Sequence, residues 1–363
     1  MTSTTDRPGD TRSRRGSDTY REILEQPAAI AEAIRAVTEL ARQLQQLVVD
    51  VDGVILTGCG STFHAATALR RVFARAVGVP TLAVAAGDLM LDESSSTIGM
   101  RRPLLVAVSR SGATSETVAS VSHFREHAGA STLAFTTDSE SDLARLADAS
   151  VLLPTAREQS VAQTKSFTAM MMAGHSTAAA LAGGVRALDA FKVFPDLFET
   201  QLHGDAAARA EQVGMDQTLE HFVFLGTADR VGLAAEGALK MKEMSLSSTD
   251  VATFLEYRHG PMSMVDPSTH IVGVGTNRWQ AQERRVLDEL EQLGGRVTSV
   301  GAVKRADVPT ADLALDADAL LCLPFLPLLA YHRARRNGRD PDAPRHLTQV
   351  IVRDFETPPV IPS

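Results

Sequence analysis

Short β-branched and apolar runs alternate with longer amphipathic stretches along most of the chain, the pattern expected of βαβ units around a parallel sheet. In the first half, residues 54–57 read as a strand ending at Gly58, with 61–76 as the helix behind it. Residues 81–86, 104–109, 132–136 and 151–153 read as further strands. In the second half, 222–225 run into Gly226 and feed a helix over 233–244, and 271–276 and 297–300 follow as strands. Gly58 and Gly226 lie 168 positions apart, and Ser109 and Thr276, each closing a later strand, lie 167 apart. That near-constant offset predicts a duplicated α/β unit.

The stretch from about 160 to 216 is helical in pattern throughout, with no long Pro/Gly/Ser linker, so the two units are expected to pack together. Within it, 169–185 is apolar, but it is too short for a membrane span and is interrupted by His175 and Ser176; a buried core helix is predicted. Ahead of the first strand, 19–49 carries Ile23, Leu24, Ile30, Ile34, Val37, Leu40, Leu44 and Leu47 at helical spacing. That stripe must be buried on the body of the chain or on a second subunit, and a homodimer is expected.

Composition narrows the function classes. The 363 residues, at about 150 per domain, suggest two domains. With 44% hydrophobic and 22% charged residues the chain reads as an ordinary globular protein. There are 44 acidic against 36 basic residues, a net charge of −8, so a basic footprint for nucleic acid is lacking. Two cysteines, Cys59 and Cys322, are too few for a disulfide framework or a thiolate metal site, which predicts a reducing, cytoplasmic compartment. The polar segment 1–15 lacks the apolar core of a secretory signal and is expected to be disordered.

Four motifs carry candidate chemistry. Ser109-Arg110-Ser111-Gly112-Ala113-Thr114 lies between a strand and a helix, where hydroxyls, orphan N–H groups and the positive end of a helix dipole suit a phosphate ester. Plain N-capping would explain the same residues, but Arg110 adds a charge-assisted donor. Gly58-Cys59-Gly60-Ser61-Thr62 is a second loop of this kind; Phe63 stands where a dinucleotide fingerprint needs its third glycine, and no Walker lysine follows. Cys59 has no activating neighbour in sequence and reads as a packing residue. Glu236, Lys240 and Glu243 share one helix face, either as a solvated salt-bridge stripe or, if buried, as a general base held beside an ammonium. Lastly, Gly260-Pro261 forces a turn that holds His259 in a loop, where it could move a proton or serve only structure.

Taken together, these motifs resemble the sugar isomerase (SIS) domain family, above all the isomerase half of glutamine:fructose-6-phosphate amidotransferase and its stand-alone relatives. The resemblance also takes in residues 22–27, Val161-Ala162-Gln163-Thr164-Lys165-Ser166-Phe167-Thr168, and 340–345. It implies an α/β fold of two tandem SIS domains, each a parallel sheet flanked by helices in a flavodoxin-like three-layer sandwich. The expected division is a tail over 1–18, an N-terminal helix over 19–50, SIS domains over 51–200 and 201–350, and a tail over 351–363.

For the site, the resemblance implies that Ser109, Ser111 and Thr114, with Ser61, Thr62 and Arg110, hold a sugar phosphate, and that Ala162 and Gln163 line the substrate. Glu243 would move the proton between C1 and C2, with Lys240 and Glu236 organising the site, while His259, reaching across a dimer interface, would open the sugar ring. No metal and no organic cofactor is implied. The segment before the first strand is too short for the amidotransferase's glutaminase domain, and Gln349 stands where the family often carries a lysine. The expected function is therefore glutamine-independent: conversion of glucosamine 6-phosphate to fructose 6-phosphate and ammonia. A deglycase of fructosamine 6-phosphates, a plain phosphosugar isomerase and a non-catalytic phosphosugar sensor are the alternatives. The expected partners are a small phosphosugar and a second copy of the chain, with neither nucleic acid nor membrane.

Overall fold

A computed structural model describes residues 16–126, 129–302 and 306–353, so most of both expected tails lies outside the described residues. Among the described residues, ten strands form two wholly parallel sheets. The first holds β1 (Gly53–Gly58), β2 (Thr81–Ala85), β3 (Pro103–Val108), β4 (Ser131–Thr136) and β5 (Ala149–Leu152) in the order β2-β1-β3-β4-β5. The second holds β6 (His221–Gly226), β7 (Ser248–Ala252), β8 (Thr269–Val274), β9 (Arg296–Gly301) and β10 (Val308–Pro309) in the order β7-β6-β8-β9-β10. The duplication read from the strand offsets is thus a repeat of strand order as well as of spacing.

β1, β3 and β8 are buried from end to end, as strands covered by helices on both faces must be, which is why they stood out as unbroken apolar runs. β7 and β10 had no such signature. β7 is an edge strand of sequence Ser-Thr-Asp-Val-Ala with three exposed residues, and β10 is only two residues long.

The predicted lead helix is two helices, Ser17–Leu24 and Gln26–Leu47, joined at Glu25. Pro27 has no N–H to donate and fits only in a first turn, so the seam falls just ahead of it. The apolar stripe is buried within the chain: Ile23, Ile30 and Val37 are fully covered, and the long helix packs along Lys165–Gly183. That burial accounts for the stripe without a second subunit. Lys165–Gly183 is itself a core helix with Met170, Met171 and Met172 fully buried, and among the described residues no helix is long and apolar enough to cross a membrane.

The two sheets meet through helices Ser61–Val77 and Arg230–Lys240, which follow β1 and β6. They cross at Gly232, where a Cβ would lie 2.6 Å from the Ala68 nitrogen and 2.6 Å from the His64 carbonyl oxygen. Both obstacles are backbone and cannot swing aside. Gly232→Ala should therefore cost about 1–3 kcal/mol of stability, the usual penalty of overpacking, read as a lower urea midpoint; an unchanged midpoint would show that the crossing is looser than described.

Two buried imidazoles contribute to the acid sensitivity. Burial, reinforced by Arg209 and Arg296, takes His270 from its ordinary 6.5 to about 3, and burial with Arg75 and Arg230 does the same to His175. Between about pH 6.5 and 3 each ring is protonated only in the unfolded chain, so stability falls as pH falls through that window. Each ring contributes up to about 1.4 kcal/mol per pH unit. His270→Gln should show a smaller drop in urea midpoint between pH 7 and 5 than the wild type.

Candidate active site

Both hydroxyl-rich loops leave the first sheet at one edge, because β1 and β3 are parallel neighbours. The strand order reverses between these two strands, and ligands of open α/β sheets bind in the crevice at such a point. After β3, Ser109 Oγ accepts from Gly112 N at 3.1 Å and Ser111 Oγ accepts from Ala113 N at 3.2 Å. Each serine acts as an acceptor in these bonds, leaving its O–H to donate outward. Thr114 is the N-cap residue of helix Ser115–Phe124, and its side chain makes no capping bond. Gly112 lies at φ +63°, and any Cβ there would come 2.1 Å from Ser141 Oγ, so this turn requires glycine.

After β1, Ser61 and Thr62 open helix Ser61–Val77. Thr62 is turned onto its own loop, its hydroxyl accepting from Cys59 N at 2.9 Å and donating to Cys59 O at 3.0 Å. Ser61 faces the second sheet instead, accepting from Lys240 Nζ at 3.1 Å.

Lys240 is 1% exposed at the end of helix Arg230–Lys240. Its ammonium lies 3.3 Å from Glu236 Oε1 and is in direct contact with the Glu243 carboxylate. Burial disfavours its charge, but the two carboxylates outweigh burial and hold the pKa above the ordinary lysine value. The stripe on one helix face is thus a buried triad and not a solvated one. Glu243 lies in a five-residue π-helical turn, Met241–Ser245, and its side chain keeps 19% exposure, the least buried of the three groups. Gln163 and Thr164 line a small cleft with Glu236 and Lys240, and Ala162 is buried behind them.

Arg110 takes a different place from the one expected of it. Its guanidinium donates to the carbonyls of Ser160 at 3.3 Å, Val161 at 3.0 Å and Gln349 at 2.7 Å, and lies 3.5 Å from Glu158. With its side chain 9% exposed, Arg110 braces the loop against the 160–161 backbone and the C-terminal segment through these bonds. His259 is likewise not brought to Glu243 within the chain: it is exposed, and its ring makes no hydrogen bond among the described residues. Burial pushes the Cys59 thiol up, which disfavours its thiolate form.

Three features escaped the sequence reading. His64 Nδ1 lies 3.2 Å from Glu236 Oε2, a pair 172 positions apart with no local signal. Glu158 is buried beneath the loops, accepting from Thr164 N at 2.6 Å, from Thr164 Oγ1 at 2.8 Å and from Ser166 Oγ. The C-terminal segment crosses the first crevice: Ser115 N donates to Ile351 O at 3.3 Å, and Arg353 N donates to Ser115 Oγ at 2.7 Å. Gln349 belongs to this segment, its amide donating to Gln159 O at 2.6 Å.

Residues 48–180 match the family model of the SIS domain. That stretch, which holds the first sheet, is similar to a SIS domain. Beyond it, 92% of the chain aligns at 27% identity with the glutamine–fructose-6-phosphate aminotransferase (isomerizing) of Pyrococcus horikoshii, and 92% at 26% with that of Escherichia coli. The chain spans little more than half the length of these relatives, 57% and 58%. Among solved structures, glucosamine-6-phosphate deaminase from Thermotoga maritima shares 27% identity at a TM-score of 0.72, over 88% of this chain and 99% of that one. Tagatose-6-phosphate ketose/aldose isomerase from Escherichia coli, at 22% identity and a TM-score of 0.73 over 94% and 98%, shares the fold.

Lys240→Met tests the triad. It leaves the buried Glu236 carboxylate with His64 as its one remaining side-chain contact among the described residues and should cost about 3–5 kcal/mol, the penalty of breaking a buried ion pair. A loss below 1 kcal/mol in urea unfolding would mean that the triad is hydrated.

Proposed function

We propose that the chain is a phosphosugar isomerase acting as a glucosamine-6-phosphate deaminase, with residues 51–200 and 201–350 as two like SIS domains. The carrying observation is the contact of Glu243 with Lys240, which itself binds Ser61 of the first crevice. A carboxylate from the second unit thereby stands at the edge of the site that the first unit offers to a phosphate.

On this reading, Ser109, Ser111 and Thr114 hold the phosphate and the opened sugar reaches toward Ser61 and Lys240. Glu243 removes the C2 proton of the aldehyde form, giving an enolamine with a hydroxyl on C1 and nitrogen on C2. Return of the proton to C1 gives the C2 ketimine, and water adds to it, releasing ammonia and leaving fructose 6-phosphate. Lys240 stays cationic, as its raised pKa requires, and donates to oxygen where negative charge develops. His259, the residue expected to open the ring, is exposed, and its entry from a second copy of the chain is part of the proposal.

The test is ammonia release from glucosamine 6-phosphate without glutamine. Wild type should turn over, and Glu243→Gln should lose about 10²–10⁴-fold in kcat, the range of a general base, while still binding fructose 6-phosphate. Binding without turnover in the wild type would overturn the deaminase reading and leave the deglycase and sensor alternatives.

A further inference from the structure

The second sheet reverses its strand order between β6 and β8, and that point also bears a crevice. A cavity of about 90 Å³ lies there, lined from the second sheet by Thr227, Arg230, Arg278 and Trp279 and from helix Ser61–Val77 by Arg71 and Arg75. An adjoining apolar hollow of about 270 Å³, lined by Ala178, Ala179 and Ala182, opens beside Arg75. His175 lines both; it is 4% exposed, and its Nδ1 has no hydrogen-bond partner.

The charge in this crevice is arranged for an anion. Four arginines face two carboxylates: Asp229 lies 3.7 Å from Arg71 and 3.4 Å from Arg75, and Asp318 lies 2.8 Å from Arg230. The Arg278 guanidinium lies over the Trp279 ring, 5.4 Å from its centre. The turn after β8 is already occupied, because Glu283 accepts from Thr276 N at 2.7 Å and from Thr276 Oγ1 at 3.1 Å. An incoming anion is left to the arginines.

The duplication says what this crevice is not. At the offset of 168 that relates Gly58 to Gly226, Glu236 corresponds to Ala68, Lys240 to Val72 and Glu243 to Arg75. The position of the proposed base is held by a guanidinium, which stays protonated and cannot accept a proton.

We propose that this second crevice is a non-catalytic binding site for a phosphate ester, its phosphate held by Arg71, Arg75 and Arg278 and its apolar part placed in the alanine-lined hollow. Guanidinium forks match phosphate oxygens, and the unpartnered His175 nitrogen lies at the junction where phosphate and apolar part would meet. The site is separate from the first crevice and does not depend on the reaction proposed for it.

Calorimetric titration of the full chain with phenyl phosphate, and separately with inorganic phosphate, tests the proposal. The expected result is a binding event that persists in Ser111→Ala and is weakened about tenfold or more in Arg75→Ala/Arg278→Ala, the loss of a charge-assisted hydrogen bond or more. Arg75 and Arg278 are exposed, so folding is not at risk, and ammonia release should be unchanged in the double variant. Phenyl phosphate should bind this site more tightly than inorganic phosphate, because only the ester fills the hollow. Absence of an arginine-dependent event overturns the site, and equal affinity for the two probes overturns the assignment to an ester. Since the readout is binding, the result stands even if the wild type releases no ammonia.

Discussion

An ammonium that is 1% exposed persists only if opposite charge and hydrogen bonds replace the water it has lost, and Lys240 obtains both from two directions. Glu236 and Glu243 supply the charge from its own helical segment, and Ser61 supplies an oxygen from the other sheet. Glu236 in turn reaches back across the seam to His64. The geometry requires the two helices to touch backbone to backbone, which is what the missing side chain of Gly232 allows. That contact is what brings Ser61 of one sheet and, through Lys240, the Glu243 carboxylate of the other side by side.

Around this seam the loops are held by carboxylates, those of Glu22 and Glu158 buried and that of Asp342 half-buried. Glu22 accepts from Gln159 N and from Ser160, Glu158 from Thr164 and Ser166, and Asp342 from Thr19. Each anchors a stretch of loop backbone that would otherwise be held only by its own turn. Arg110 joins this framework to the C-terminal segment. The serines of the first crevice are therefore presented by a preformed support, as the proposed positioning of a sugar phosphate would require.

The two crevices show how one duplicated framework can diverge. Each lies where its sheet reverses strand order, yet one is lined by hydroxyls and approached by a carboxylate, and the other is lined by guanidinium groups. At the helix that follows, the first crevice keeps its serine loop, while in the second an internal carboxylate, Glu283, fills the corresponding turn. The fold supplied two equivalent places, and side-chain substitution separated what they can bind.

Much of this was legible in the chain. Unbroken apolar runs marked the buried strands, the strand offset marked the duplication, and Ser109–Thr114 and the Glu236–Lys240–Glu243 face marked the candidate chemistry, because each signal is local and repeats within a few residues. The exposed edge strand β7 carried no apolar run to read, and the direction of Arg110 could not be inferred from a loop in which any basic residue suits a phosphate. Whether the carboxylate stripe was solvated or buried was also open, since spacing along a helix is the same in both cases. Tertiary structure alone decided these points. Lys240 meets Ser61 across 179 positions, His64 meets Glu236 across 172 and Arg110 meets Gln349 across 239, and no local pattern records such partners. Burial and opposed charge act through space, so the sequence determined which groups were present and the packing of the two sheets determined which of them meet.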